Sequence, residues 1–433
     1  MAARLARFVG RLVAFVWMLA RMAPHLGERT LQRIAWRNVW RNPRRTAIVA
    51  TAVAVGIGGA VLTMSINYGM VIQMIETAIA TDLAHVQIQA PAYVDDPGID
   101  HRLPDGGAAI QAALAGREDV RAWSPRVRGQ ALVFSPRASS GVALIGVDPA
   151  RERGVTGVAD SVTSGRYLGG QGRRLLIGEA LARRLHVEVE DKLVLSVQDV
   201  SGDLTGEAFR VGGLFRTASR DFDAGHAFLL LAEAQALYGI GDDVSEIVVL
   251  AGNRRQVDGL RDDLAREVGS AARVRSWDQS QPMLQYMVDL FDQAGWIVYA
   301  AVFVAMAFGI ANVMLMAVHE RIRELGIITA VGMHPDRLIA LICIESILLT
   351  ALGLAAGLAL AFGGVAALGD GIDLSRWAEG LEAYGVGTRI VPVLRADDLA
   401  VPMLAASITA LVASLWPALR AAHLRPAEAV RHI

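Results

Sequence analysis

The sequence holds one cysteine, Cys343, and one lysine, Lys192, in 433 residues. A lone cysteine rules out a disulfide within the chain. Arginine carries nearly all the positive charge, which reads as genome composition and not as function. No stretch reads G-x-x-x-x-G-K-[ST], so these residues hold no P-loop for hydrolysing ATP. The net charge of −1 gives no global attraction to nucleic acid or to an acidic ligand. There is no nucleophile elbow. His319-Glu320 begins like a zinc motif, but Arg323 stands where the second histidine of H-E-x-x-H belongs. Asp221, Asp223 and His226 lie close in sequence, yet acid-rich turns are common, and no metal site is expected there. No catalytic residue is expected anywhere in the chain.

What the sequence has in excess is apolar length. Hydrophobic residues make up 53% of the chain, and they are unevenly spread. Runs 46–75, 294–318, 338–369 and 399–419 each reach the ~20 residues that cross a bilayer. Gly, Ala, Ser and Thr are mixed among their branched residues, as in helices that pack inside membranes. Four such runs are too many to bury in a soluble chain of this size. Gly56-Ile57-Gly58-Gly59 and the pair Gly353 and Gly357 lie inside these runs and read as close-approach points between helices, not as phosphate loops.

Arginine placement orients the spans. Residues 1–45 hold ten Arg and one Glu. The connector 319–337 carries Arg321, Arg323 and Arg337 with Glu320, Glu324 and Asp336, and the tail 420–433 carries Arg420, Arg425 and Arg431 with Glu428. The loop 370–398, with Trp377 and Tyr384, has six acids against three Arg. Both termini and the connector are therefore expected in the cytoplasm, with 76–293 and 370–398 outside. The expected fold is an α-helical membrane protein of four transmembrane helices in a 1+3 arrangement, plus a large α+β extracytoplasmic domain.

The cytoplasmic N-terminal part, 1–45, reads as two amphipathic units. In the first, Arg4, Arg7, Arg11 and Arg21 oppose Phe8, Leu12, Phe15, Val16 and Leu19. Arg11 interrupts what would be a signal-peptide core, and the apolar run is short for a fifth span, so an interfacial helix is expected. In the second, Trp36, Arg37, Trp40, Arg41, Arg44 and Arg45 form a membrane-interface set, since indoles and arginines favour the headgroup region. Asn42-Pro43 marks the elbow into the first span.

Segment 76–293 is too long for a loop and predicts a folded domain. Strands are expected at 86–89, 131–134, 142–147, 187–197, 209–215, 227–231 and 247–250, and helices at 179–185, 232–238 and 256–268. Stretches near 98–107 and 151–173 suggest junctions between two lobes. Glu345 is the single ionisable residue inside the third run. It is expected to reach the interface or bond a neighbouring helix, because one carboxylate near a helix end does not make a proton relay.

Three motifs resemble a known family. They are Asn312 followed by Glu320-Arg321-Ile322-Arg323-Glu324-Leu325-Gly326-Ile327, Ala330-Val331-Gly332 and Glu345; the stretch 35–46; and the stretch 417–431. Together they resemble FtsX-like permeases, the membrane subunits of MacB/LolC-type ABC transporters. Within the external segment, His85–Gln89, Gly146-Val147-Asp148-Pro149, Ser164–Leu168 and 177–182 through Asp191-Lys192 are similar to lipoprotein-releasing permeases of the LolC/LolE type. Residues 1–28 depart from the usual pattern.

The resemblance implies an inner-membrane subunit without catalysis of its own. A separate ABC ATPase dimer, holding ATP and Mg, would dock on the connector. Glu320, Arg321, Arg323, Glu324, Leu325, Gly326 and Gly332 are the implied coupling residues, on a short helix containing 320–326, with Gly332 and Pro335 turning the chain back. A second permease copy or a related permease would complete the complex. The cargo would be a lipoprotein or other amphiphile, with a periplasmic carrier or adaptor beyond it. Efflux of peptides or drugs, and control of an external cell-wall hydrolase, are the alternatives. Membrane lipid is a partner in each reading, and nucleic acid in none.

Overall fold

The computed structural model describes residues 24–169, 172–253, 256–377, 380, 387–394 and 397–423. The first expected amphipathic helix, Tyr384 and most of the C-terminal tail lie outside them. The chain forms two compact units. One takes the residues up to Gly69, Phe291–Gly371 and those from Val391 on; the other takes Met70–Leu290 and Ile372–Ile390.

The first unit holds, or sends out, the helices α1 (Arg29–Arg41), α2 (Pro43–Ala78), α3 (Pro282–Glu320), α4 (Ile322–Ala330), α5 (Pro335–Ala367) and α6 (Asp397–Ala422). A π-helical turn, Ile79–Leu83, prolongs α2. Among the described residues, four helices are long and apolar enough to cross a membrane. Prolines open three of them, α2, α3 and α5. Asn42 leaves the helical conformation, and Pro43, which needs no amide partner, opens α2; Pro335 opens α5 in the same way.

Two expected boundaries move. Helix α3 begins at Pro282, inside the stretch 76–293 expected to be external, and the second unit runs on to Leu290. Residues 282–293, with Asp289 and Asp292, are too polar to read as a span yet continue the helix. Helix α2 likewise outruns its apolar stretch, by three residues at its start and through Leu83 at its end.

Helix α5 is the central element, with 72% of its apolar window buried against 22–39% in the other three. Its Leu338–Ile344 and Leu349 pack with Leu31, Ala35 and Val39 of α1, Val49, Val53 and Ile57 of α2, and Ala406 and Ala410 of α6. The other spans expose Ile48, Val55, Phe308, Leu404 and Trp416, the side chains a lipid-facing surface requires.

Glycine lets α2 and α5 touch. A Cβ on Gly353 would lie 2.6 Å from the Cβ of Val53, and one on Gly357 would lie 2.9 Å from the carbonyl oxygen of Ala54. A Cβ on Gly58 would in turn lie 2.8 Å from the carbonyl oxygen of Gly357. The backbones meet where both helices lack side chains.

The second unit is built on one ten-stranded sheet, in the order β10-β1-β9-β2-β3-β8-β5-β7-β4, with β6 joined to β2 and β7. The strands are β1 (Val86–Gln89), β2 (Val120–Phe134), β3 (Ser139–Val147), β4 (Val162–Gly165), β5 (Arg174–Gly178), β6 (Lys192–Gln198), β7 (Leu204–Phe215), β8 (His226–Leu230), β9 (Glu246–Ala251) and β10 (Arg273–Ser276). The expected two lobes are thus corrected to a single sheet. Strand β2 is long enough, at 15 residues, to pair with β9 at one end and with β3 and β6 along the rest.

The helices Glu179–Leu185, Leu231–Tyr238 and Val257–Val268 stand where periodicity places them. The strand expected from 187 starts only at Lys192. Glu190 adopts φ +75°, and Asp191 accepts a hydrogen bond from the amide of Glu188, so a turn occupies 188–191. Strands β4, β5 and β10 have four or five residues each, β4 and β10 with a single apolar residue and β5 without alternation, and sequence reading missed them.

Candidate functional site

The expected coupling segment is not one helix. Glu320 closes α3, the chain breaks at Arg321, and α4 starts at Ile322. Gly332 then takes φ +109°, a conformation that favours glycine, and lets the chain reverse before Pro335.

Most of the connector's charges point into the membrane unit. The guanidinium of Arg41, on α1, donates to both carboxylate oxygens of Glu324 at 2.8–3.0 Å. Arg321 donates to Glu324 at 3.1 Å and to Glu345 of α5 at 3.3 Å. Arg45, near the start of α2, donates to the other oxygen of Glu345 at 2.8 Å and approaches Glu320 at 3.8 Å. Five charged side chains therefore tie α1, α2, α4 and α5 together, with the end of α3 alongside. The hydrogen bond from Arg41 pulls the Glu324 carboxyl below its ordinary pKa, and the Arg41 pKa is raised in return.

This geometry corrects one expectation. Arg45 was grouped with the headgroup-facing arginines, but it is buried, because Glu345 needs a cation at that depth. Arg321 and Glu324, read as docking charges, also bond inside the chain, and Glu324 stays about half exposed. Leu325 and Gly326 are also buried. What α4 presents outward is Arg323, Ile327 and, just past its end, Val331, spaced so that they share one side. Ile327 is 48% and Val331 85% exposed, an apolar strip with no cover among the described residues. Arg37 and Arg44 are exposed, and Trp36 and Trp40 are half exposed with their rings edge to face at 5.7 Å.

A second charged cluster sits in the sheet unit, where α2 ends. Arg126 of β2 is fully buried. It donates to both oxygens of Glu152 at 2.6 and 3.2 Å and to the carbonyl of Asp82 at 2.5 Å. Arg128, two residues on and so on the same face of the strand, pairs with the Asp82 carboxylate and with Glu246 at 3.2 Å. Gln89 donates to the remaining oxygen of Glu246 at 2.8 Å. Burial works against both arginine charges, and the Glu152 carboxylate at Arg126 and the Asp82 carboxylate at Arg128 more than offset it, so both pKa values are raised. The cluster clamps the π-helical turn Ile79–Leu83 to the sheet. Sequence reading missed it, although Arg126 and Arg128 at alternate positions of one strand were the visible signal.

Asp223 and His226 have local partners. The Asp223 carboxylate accepts from the amide and hydroxyl of Thr217, and His226 stacks on Phe222 with its Nδ1 3.0 Å from that residue's carbonyl oxygen. Among the described residues no three His, Cys, Asp or Glu side chains converge as metal ligands would.

Comparison with known proteins agrees with this layout. Residues 46–267 match the family model of the MacB-like periplasmic core domain, and residues 296–426 match that of the FtsX-like permease C-terminal region. The lipoprotein-releasing system transmembrane protein LolC of Neisseria meningitidis serogroup B is 23% identical over 402 residues, covering 89% of this chain and 94% of that protein. The macrolide export ATP-binding/permease protein MacB of Chlorobium luteolum is 26% identical over 219 residues, covering 51% of this chain and 29% of that protein. The solved periplasmic region of MacB from Actinobacillus actinomycetemcomitans is 12% identical, with a TM-score of 0.33, over 49% of this chain and 97% of that one.

Proposed function

This chain belongs to the family of ABC-transporter permeases that join a MacB-like periplasmic core domain to an FtsX-like C-terminal region, and we propose that it passes the motion of a separate ATPase dimer to its external domain to release lipoproteins or other amphiphiles from the outer leaflet of the inner membrane. The termini and the 319–337 connector face the cytoplasm in this reading, as the arginine distribution requires. ATP and Mg belong to the partner ATPase. A second copy or a related permease completes the membrane part, and a carrier or adaptor receives the cargo.

The charge network around Arg45 and Glu345 carries the proposal. The ATPase would hold the connector by Arg323, Ile327 and Val331, the groups α4 leaves outward. A push there meets Glu324 and Arg321, which are hydrogen-bonded to α1 and α5. Helix α2 takes up the motion through Arg45 and runs without a break to Leu83. Asp82, on its last turn, is bonded to the sheet through Arg126 and Arg128. Hydrogen-bonded ion pairs suit this role, because each has a defined geometry and resists shear as a loose apolar contact does not.

For the cargo, the match to a protein named as lipoprotein-releasing over nearly the full length of both chains supports the amphiphile reading. The core-domain match to a MacB-like family supports a second reading, efflux of a peptide or drug. Purifying the permease with its ATPase and identifying co-purifying acylated protein by mass spectrometry separates them. Acylated protein bound to the complex and stimulating ATP turnover is the expected result. An acyl-free complex stimulated only by a soluble peptide or drug would replace the first reading with the second.

A further inference from the structure

A groove of about 900 Å³ runs between α1 and α5, lined by Leu26, Arg29, Gln32, Arg33, Trp36 and Arg37 on one side and by Ile344, Ile347 and Leu348 on the other. Its two walls differ in chemistry. Arg29, Arg33 and Arg37 recur every four residues, so they form one stripe along α1, about 6 Å apart along the axis. The opposite wall is a ledge of branched aliphatic side chains on a membrane-spanning helix.

The three arginines are exposed, and among the described residues they make no ion pair. The nearest acid on α1's approach, Glu28, is already engaged by His25 at 2.5 Å and by Arg337 at 3.4 Å. Three guanidinium groups within two turns repel one another unless an anion lies among them. The opposite face of α1, with Leu31, Ala35 and Val39, is buried in the membrane unit, so the stripe cannot rotate away.

We propose that this groove is a binding site for one anionic phospholipid, its phosphate held by Arg29, Arg33 and Arg37 and an acyl chain laid along Ile344, Ile347 and Leu348. Trp36 lines the same groove, and an indole takes a polar contact at its N–H and an apolar one on its ring. Charge complementarity excludes the simplest rival from within the chain. Residues 1–23 carry Arg4, Arg7, Arg11 and Arg21 and no acid, so they would add positive charge to positive charge. A soluble anion would satisfy the arginines but leave the aliphatic wall bare.

The site has a consequence for coupling. Helix α1 continues from the lipid-facing arginines to Arg41, whose guanidinium holds Glu324 of the connector. An anionic lipid that fixes α1 against α5 also fixes the partner of the connector. This inference rests on the chain being a membrane permease and is independent of its cargo.

The test uses the full-length protein in a mild non-ionic detergent, titrated with dioleoyl phosphatidylglycerol or dioleoyl phosphatidylcholine and read by native mass spectrometry. The expected result is roughly tenfold tighter binding of the anionic phosphatidylglycerol, since each arginine near an anionic headgroup contributes appreciably. The variant carrying R29Q, R33Q and R37Q loses that preference. Ile347→Trp, which fills the groove and leaves the arginines in place, weakens binding of the first lipid at least as much. Equal affinity for both lipids in the unaltered protein, or an unchanged preference in the triple variant, overturns the proposal. So does displacement of the lipid by millimolar inorganic phosphate, which would mark a site for a free anion. A severalfold gain in lipid binding on removal of residues 1–23 would assign the groove to that segment instead. Loss of self-association in Ile347→Trp with lipid binding intact would assign it to a second copy.

Discussion

Arg45 and Glu345 are 300 positions apart in sequence, and they meet through a 2.8 Å hydrogen bond at a buried site. One stands at the start of the first span and the other at the start of the third. Removing Arg45 leaves Glu345 with Arg321 at 3.3 Å, and removing Glu345 leaves the buried Arg45 with only Glu320 at 3.8 Å, so each loss stays below the about 3–5 kcal/mol of a buried charge left wholly unpaired. Arg45→Gln and Glu345→Gln should each lower the thermal midpoint of the detergent-solubilised protein. The double variant should lose clearly less than the sum of the two, and a double-mutant cycle measures the difference. Additive losses would mean the pair is not coupled.

The Arg41–Glu324 pair makes a different prediction. Both side chains are about half exposed, so the pair adds no more than about 1 kcal/mol to stability. Its value lies in geometry. Arg41→Glu and Glu324→Arg should each fold normally and each uncouple ATP turnover from cargo. Combining the two reversals should recover part of the coupling, measured as cargo-stimulated ATPase activity with the partner ATPase present.

If the ATPase grips the connector by its apolar strip, Val331→Asp and Ile327→Asp should reduce co-purification of the ATPase several-fold without changing membrane insertion. Arg321→Gln should leave docking intact and affect the later step, because Arg321 faces Glu345. Normal recovery of the ATPase with Val331→Asp would remove this surface from the interface.

Gly357→Val should destabilise the membrane unit, because its Cβ would press on the Ala54 carbonyl and the α2 and α5 backbones would have to separate. Overpacking of this kind costs about 1–3 kcal/mol. Gly363→Ala is the control, since nothing lies within 4 Å of a Cβ at that position. The comparison is made by thermal unfolding of both variants in the same detergent.

Burial pushes the Asp223 carboxyl up to about 6, although Thr217 hydrogen bonds pull it back. The folded state therefore holds this proton more firmly than the unfolded chain does. From the ordinary Asp pKa up to about 6 the folded state binds more protons, so this group's contribution to stability falls as pH rises through that window. Asp223→Asn, which keeps an oxygen for Thr217, should flatten that part of the pH profile. The thermal midpoint measured at several pH values between 4 and 7 checks it.

The spans, the order of the units and the family were legible in the sequence because each rests on local signals. A run of ~20 apolar residues needs no knowledge of its neighbours to be recognised. The same holds for Glu179–Leu185 and Val86–Gln89, whose periodicity marks them as helix and strand. Strands β4, β5 and β10 escaped because Val-Thr-Ser-Gly and Arg-Val-Arg-Ser hold one apolar residue each and Arg-Leu-Leu-Ile-Gly does not alternate; their identity comes from pairing with β7, β8 and β1.

The same division runs through the candidate site. By itself the sequence determined that a charged connector lies between two apolar runs, that arginines crowd the approach to the first span, and that Glu345 stands alone inside the third. It could not say which charge faces which. That Glu324 belongs to Arg41 and Glu345 to Arg45, and that Arg126 and Arg128 hold Asp82, was decided only by tertiary structure. A charge shows its sign in the sequence, but its partner is whichever opposite charge the packing of distant helices and strands brings within hydrogen-bond reach.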